Sequence, residues 1–175
     1  MSIVEKNPQR GTAFEKVFTH HLQRGTLDSF VSDLEKRAKE NTDDSVAWML
    51  LGLIESQRRM DTQAILAFAE AERLRPDDAF PAYYRGQCLL RTGEPAHAIE
   101  AFEKAIERKP ARIVLLELFE LVGRTHQRQN RNDLAIKVWK RLEGMFPDDV
   151  RVLEQIASVQ KQESAFRESL PRYER

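Results

Sequence analysis

One cysteine, Cys88, stands alone among 175 residues, so no internal disulfide can form and a single thiol cannot by itself assemble a metal site. Charge of one sign is missing as well. The 28 Lys and Arg are matched by 28 Asp and Glu, which leaves no global field to draw in nucleic acid or an anionic membrane. No apolar run approaches the roughly 18 residues of a spanning helix, and no basic-then-apolar stretch opens the chain as a signal segment would. A reducing, cytoplasmic setting is the default reading. Glycine-rich phosphate-cradling strings are also absent. The four histidines, His20, His21, His97 and His126, include no pair three or four residues apart, the spacing a helical metal site needs. Carboxylates mix with Lys and Arg at i,i+4 spacing, as on a solvated helix face. Together these absences predict a non-catalytic protein with no cofactor, metal or membrane partner.

What is present is a period. Gly52, Ala64, Phe68, Ala71 and Pro76 are followed 34 residues later by Gly86, Ala98, Phe102, Ala105 and Pro110. Gly123, Ala135, Trp139, Leu142 and Pro147 keep the intervals but sit 37 residues further on. A fixed period of this length marks stacked supersecondary units. Within Ser45–Asp78, Ala47, Leu51 and Ile54 recur at helical steps, and Ala64, Ile65, Phe68 and Ala71 form an apolar stripe on a second helix. Asp61 is read as the N-cap of that second helix, Pro76 as its stop, and Asp77 and Asp78 as caps of the next. The same caps are expected of Asp148 and Asp149 after Pro147. Gly93 and Pro95 give the glycine-after, proline-before punctuation of a helix turn.

Glycine inside a helix costs about 1 kcal/mol relative to alanine. Gly52, Gly86 and Gly123 therefore mark points of close helix approach, with Ala64, Ala98 and Ala135 playing the same part on the partner helix. Phe68, Phe102 and Trp139 are expected to fill the space between successive pairs. Replacing Ala98 by leucine should overpack its contact and lower stability in denaturant titrations.

This pattern resembles the tetratricopeptide repeat (TPR) family, whose 34-residue helix–turn–helix unit carries small, aromatic and proline residues at these intervals. The resemblance implies an all-α, right-handed superhelical solenoid of antiparallel helix pairs. Residues 45–78, 79–112 and 116–149 are clear repeats, with Ala111, Arg112 and Ile113 inserted as about one extra helical turn. Residues 11–44 read as a degenerate repeat, 1–10 as the tail of a preceding one and 150–175 as a truncated one. In this reading the chain is a section of a longer protein, and Phe166 and Tyr173 lie on an exposed stacking end that invites self-association. Glu55, Leu89 and His126 replace a usual aromatic.

In the family, the first helix of each pair lines the concave side and commonly receives an extended peptide or a partner helix. Counting from the matched glycines, the candidate groove residues are Met49, Leu53, Phe80, Tyr83, Gln87, Arg91, Glu120, Arg124 and Arg128, with Glu15, Thr19 and Gln127 alongside. An apolar strip beside a basic section suits a peptide with hydrophobic anchors and an acidic neighbour. The function expected is a protein–protein interaction scaffold with a protein or peptide partner. Alternatives are a structural spacer in a longer array and a docking module for an enzyme encoded elsewhere in the parent chain. Paired Lys and Asn that clamp a terminal carboxylate in some family members are replaced by Glu15, Met49, Tyr83 and Thr19, Leu53, Gln87. The run Arg124, Arg128, Arg131, Lys137, Lys140 and Arg141 is a secondary candidate for RNA or another anion. Trp139, its one aromatic, is expected to be buried. Cys88 is expected to be a small core residue.

Overall fold

Why the period produces helices in pairs is visible first in the turns. The structure, a computed structural model, describes residues 8–147 and, beyond them, 150, 152–154, 156–158 and 161. Among these residues the chain is all-α, with no strand. The helices are α1 (Thr12–Gln23), α2 (Leu27–Glu40), α3 (Ser45–Gln57), α4 (Asp61–Leu74), α5 (Ala79–Arg91), α6 (Pro95–Glu107), α7 (Arg112–Arg128) and α8 (Asn132–Met145). The described residues from 150 to 161 are also helical.

Each pair is joined by a three-residue turn of one design. The last turn residue donates its N–H to a carbonyl five residues back: Thr26 to His21 (2.9 Å), Met60 to Glu55 (2.9 Å), Glu94 to Leu89 (2.8 Å) and Arg131 to His126 (2.9 Å). The middle residue takes positive φ in all four: Gly25 (66°), Arg59 (64°), Gly93 (81°) and Asn130 (58°). These are Schellman-type helix ends, which satisfy carbonyls the helix leaves open and favour glycine at the left-handed position. Arginine at position 59 holds that conformation against its Cβ, at a cost of about 1 kcal/mol or more. Arg59→Gly is accordingly expected to raise stability by about 0.5 kcal/mol, after allowance for glycine's greater unfolded-state freedom. Urea titration checks this; a lower midpoint would mean that the Arg59 side chain contributes more than its backbone strain removes.

Asp44 and Asp78 cap α3 and α5, accepting from Ala47 N (2.9 Å) and Phe80 N (3.0 Å). Asp61 departs from its expected role. Met60 is the residue before α4, no side chain caps that end, and Asp61 is the first helical residue. Its carboxylate is drawn instead to Arg91. Asp148 and Asp149 lie outside the described residues.

Contacts divide the chain into two compact units, Met1–Lys109 and Pro110–Arg175. In the first unit, each of α1 to α6 packs on its neighbours in sequence. The seam inside a pair is glycine against aromatic. A Cβ on Gly52 would stand 2.5 Å from the Phe68 ring, and one on Gly86 would meet the Phe102 ring as closely. The glycines therefore accommodate the ring of their own pair's second helix. Phe68 also reaches the following pair, stacking on Tyr84 with centroids 5.7 Å apart. Ala64 and Ala98 are fully buried, as close packing requires.

Two ion pairs tie one pair to the next in the same register. Asp28, in the first turn of α2, accepts from Arg58 at the end of α3 (2.9 Å), and Asp61 accepts from Arg91 at the end of α5 (3.0 Å to each oxygen).

In the second unit, Gly123 on α7 faces Trp139 on α8, where a Cβ would lie 2.6 Å from the indole. Trp139 is buried with Leu118, Phe119, Val122 and Leu142. Two of the three inserted residues, Arg112 and Ile113, lie within the helix and Ala111 immediately precedes it; α7 has 17 residues where α3 and α5 have 13.

Candidate functional site

The candidate groove residues divide sharply by exposure. Met49 and Leu53 on α3 are 3% and 0% exposed, and Tyr83 on α5 is 8% exposed, so these three have almost no surface to offer a partner. Burial follows from their apolar character: the turns of α3 from Met49 to Ser56 are buried on every side. Phe80 and Gln87 keep part of their surface open. On α7 of the second unit, Glu120 and Arg124 pair with each other at 2.6 Å and Arg128 is exposed.

Arg91 lies at the centre of a polar cluster. Beyond its bonds to Asp61, its Nη2 donates to Ser56 Oγ (2.7 Å) and lies 3.1 Å from Cys88 Sγ. The hydrogen bond from Arg91 holds the Asp61 carboxyl below its usual range, and Asp61 in turn raises the guanidinium. Burial pushes the Cys88 thiol up, which keeps it protonated and a poor nucleophile. Ser56, Asp61, Cys88 and Arg91 thus form a structural bracket between the α3–α4 and α5–α6 pairs.

Residues 8–11 precede α1 without forming helix, and Arg10 among them reaches this bracket at Ser56. Gln9 lines a cleft with Phe80. Arg10 donates its backbone N–H to the Tyr84 hydroxyl (2.9 Å), Nη2 to Ser56 Oγ (2.6 Å) and Nη1 to Gln87 Oε1 (3.4 Å), and its guanidinium stands 5.4 Å from the Tyr84 ring centre. Phe80, Tyr84 and Gln87 follow at steps of four and three, so the segment tracks one face of α5. Tyr84 and Ser56 are absent from the sequence-derived set. Tyr84 shares the helical face of Phe80 and Gln87, a signal the sequence carries; Ser56 has none, because its role depends on Arg10 arriving from 46 residues away.

In the basic stretch, Arg141 covers the Phe119 ring at 4.8 Å, Trp139 is buried, and Arg131, Lys137 and Lys140 are exposed. No helix among the described residues is long and apolar enough to cross a membrane.

Among curated proteins no sequence matches. Solved structures match the fold. MamA is 17% identical at a TM-score of 0.66, covering 93% of this chain and 91% of its own. YrrB, described as a TPR protein with an unusual peptide-binding site, is 14% identical at 0.62, with 92% and 81% covered. The first TPR domain of Spaghetti (RPAP3), bound to the HSP90 peptide SRMEEVD, is 12% identical at 0.55, with 69% and 95% covered. The family model of the cytochrome c-type biogenesis protein H TPR domain matches residues 15–152, and the chain belongs to that family, with an all-α tetratricopeptide solenoid fold.

Proposed function

We propose that the chain is a non-catalytic protein–protein interaction scaffold and that the face of α3 and α5 takes an extended segment of a partner. The observation that carries this reading is on α5. That helix is buried over most of its circumference, yet Phe80 and Gln87 keep part of their surface on the face where the Tyr84 hydroxyl accepts a main-chain N–H, that of Arg10. Polar groups held on rigid helices beside aromatic surface suit a main chain that needs both hydrogen bonds and apolar contact. Peptide binding by YrrB and by the RPAP3 domain supports the same reading. The family's name makes segments of c-type cytochromes the first partners to test.

A photo-crosslinking amino acid placed at Gln87 in the full chain, within its native host, is the direct test. Adducts with a defined protein are expected from position 87, and competition by a Gln87-independent site is checked with the same label at Leu66, an exposed position on α4. Gln87→Lys should lose the partner with the melting temperature unchanged. Equal adducts from both positions, or a partner retained by Gln87→Lys, overturn the assignment.

A further inference from the structure

We propose that residues 8–11 are a built-in occupant of the α3–α5 face, and that the side chain this face reads is an arginine: a docking partner presents an arginine in an extended segment and displaces Arg10. This rests on the interaction reading above and names its ligand and its competitor.

The contacts distinguish a reading site from incidental packing. One main-chain donor and one side chain of the same residue are held together, by the Tyr84 hydroxyl on one side and by Ser56 and Gln87 on the other. Two different guanidinium nitrogens reach two acceptors on two helices while the group lies against an aromatic ring. A planar fork satisfies all three demands, whereas a lysine ammonium is a single point of charge. The acceptors are themselves fixed: Ser56 also accepts from Arg91, which Asp61 anchors, and Tyr84 is stacked on Phe68.

The same contacts make the occupant exchangeable. The groups that hold the Arg10 side chain are neutral, a hydroxyl, an amide oxygen and a ring face, and neutral acceptors hold a guanidinium less firmly than a carboxylate does. Tethering to α1 compensates, because a segment attached at Thr12 meets the face at millimolar effective concentration. A partner with an arginine and further contacts along Phe80 would compete on those terms.

The test uses the full chain and a fluorescent peptide, acetyl-Pro-Gln-Arg-Gly-Thr-amide, in polarisation titrations. Arg10→Pro removes both the N–H and the guanidinium from the resident segment, and should bind the peptide at least about tenfold more tightly than the wild type. Tyr84→Phe in that background, which keeps the stacked ring, should return the affinity towards the wild-type level. A peptide with Lys in place of Arg should bind about tenfold more weakly. Equal affinity for wild type and Arg10→Pro overturns the resident occupant while leaving the interaction reading intact. Equal binding of the Lys peptide, or no binding by Arg10→Pro, overturns arginine recognition; crosslinking at position 87 then decides the broader reading separately. A wild-type dimer in sedimentation that Arg10→Pro dissolves would assign Arg10 to a second copy and overturn occupancy within one chain.

Discussion

Gly86→Ala is expected to destabilise the protein, and the same substitution in a Phe102→Ala background to stabilise it. The added Cβ meets the Phe102 ring closer than carbon atoms approach in folded proteins, so the ring or the helix must move. Phe102 is fully buried, and a well-packed core resists such a shift at a cost of about 1–3 kcal/mol. Alanine's better helix propensity offsets about 1 kcal/mol of this. Removing the ring costs about 3–5 kcal/mol alone, through lost burial and the cavity left behind. Once it is gone, the Cβ at position 86 enters empty space and the propensity gain of about 1 kcal/mol stands by itself. Urea titrations of the four proteins in the cycle check the change of sign. A stabilising Gly86→Ala in the wild type would mean that the glycine is not there to admit the ring.

Glu55→Leu is expected to raise stability by about 1–3 kcal/mol at pH 7, the typical cost of leaving a buried polar atom unsatisfied. Glu55 is 8% exposed, its Oε1 accepts from Arg58 (3.2 Å), and its buried Oε2 has no hydrogen-bond partner. Leu89, one period later, is buried at the corresponding place, so leucine is compatible with the site. Arg58 would keep Asp28. Burial raises the Glu55 pKa, Arg58 partly opposes this, and Glu35 and Asp28 add to it. The sign in pH follows. A carboxyl whose folded value is raised imposes no ionisation penalty below its ordinary value near 4.3, and the full penalty once pH exceeds the folded value. The advantage of leucine should therefore shrink as pH falls from 7 towards 4, as denaturant midpoints at several pH values would show. A constant advantage would assign the effect to packing alone.

Much of the fold was legible because its determinants are local and periodic. The 34-residue register locates the helices, the Gly93–Pro95 turn and the cap at Asp78, each set within a few residues. Asp61 shows where local reasoning fails: a cap and a salt-bridge partner look alike in sequence, and Arg91, 30 residues on, decided between them. The candidate site was less legible for the same reason. Counting from Gly52 and Gly86 finds the helix face but not what else packs there, so Met49, Leu53 and Tyr83 emerge buried while Tyr84 and Ser56 hold the polar contacts. Arg10 and Tyr84 stand 74 positions apart, a separation that is no multiple of the 34-residue period, so the register does not bring them together on paper.

The neighbour-on-neighbour packing of α1 to α6 also bears on how the molecule is made. Where each helix packs chiefly on those beside it in sequence, most native contacts close small loops and rapid collapse is favoured over long searches. During synthesis, Ser45–Leu74 can begin to seat Phe68 against Gly52 before the next pair has left the ribosome, each finished pair then offering a template to the one that follows. Arg10 must wait. It leaves the ribosome long before its partners on α5, so its contacts to Tyr84 and Gln87 close only when that helix arrives, on a segment already waiting for it.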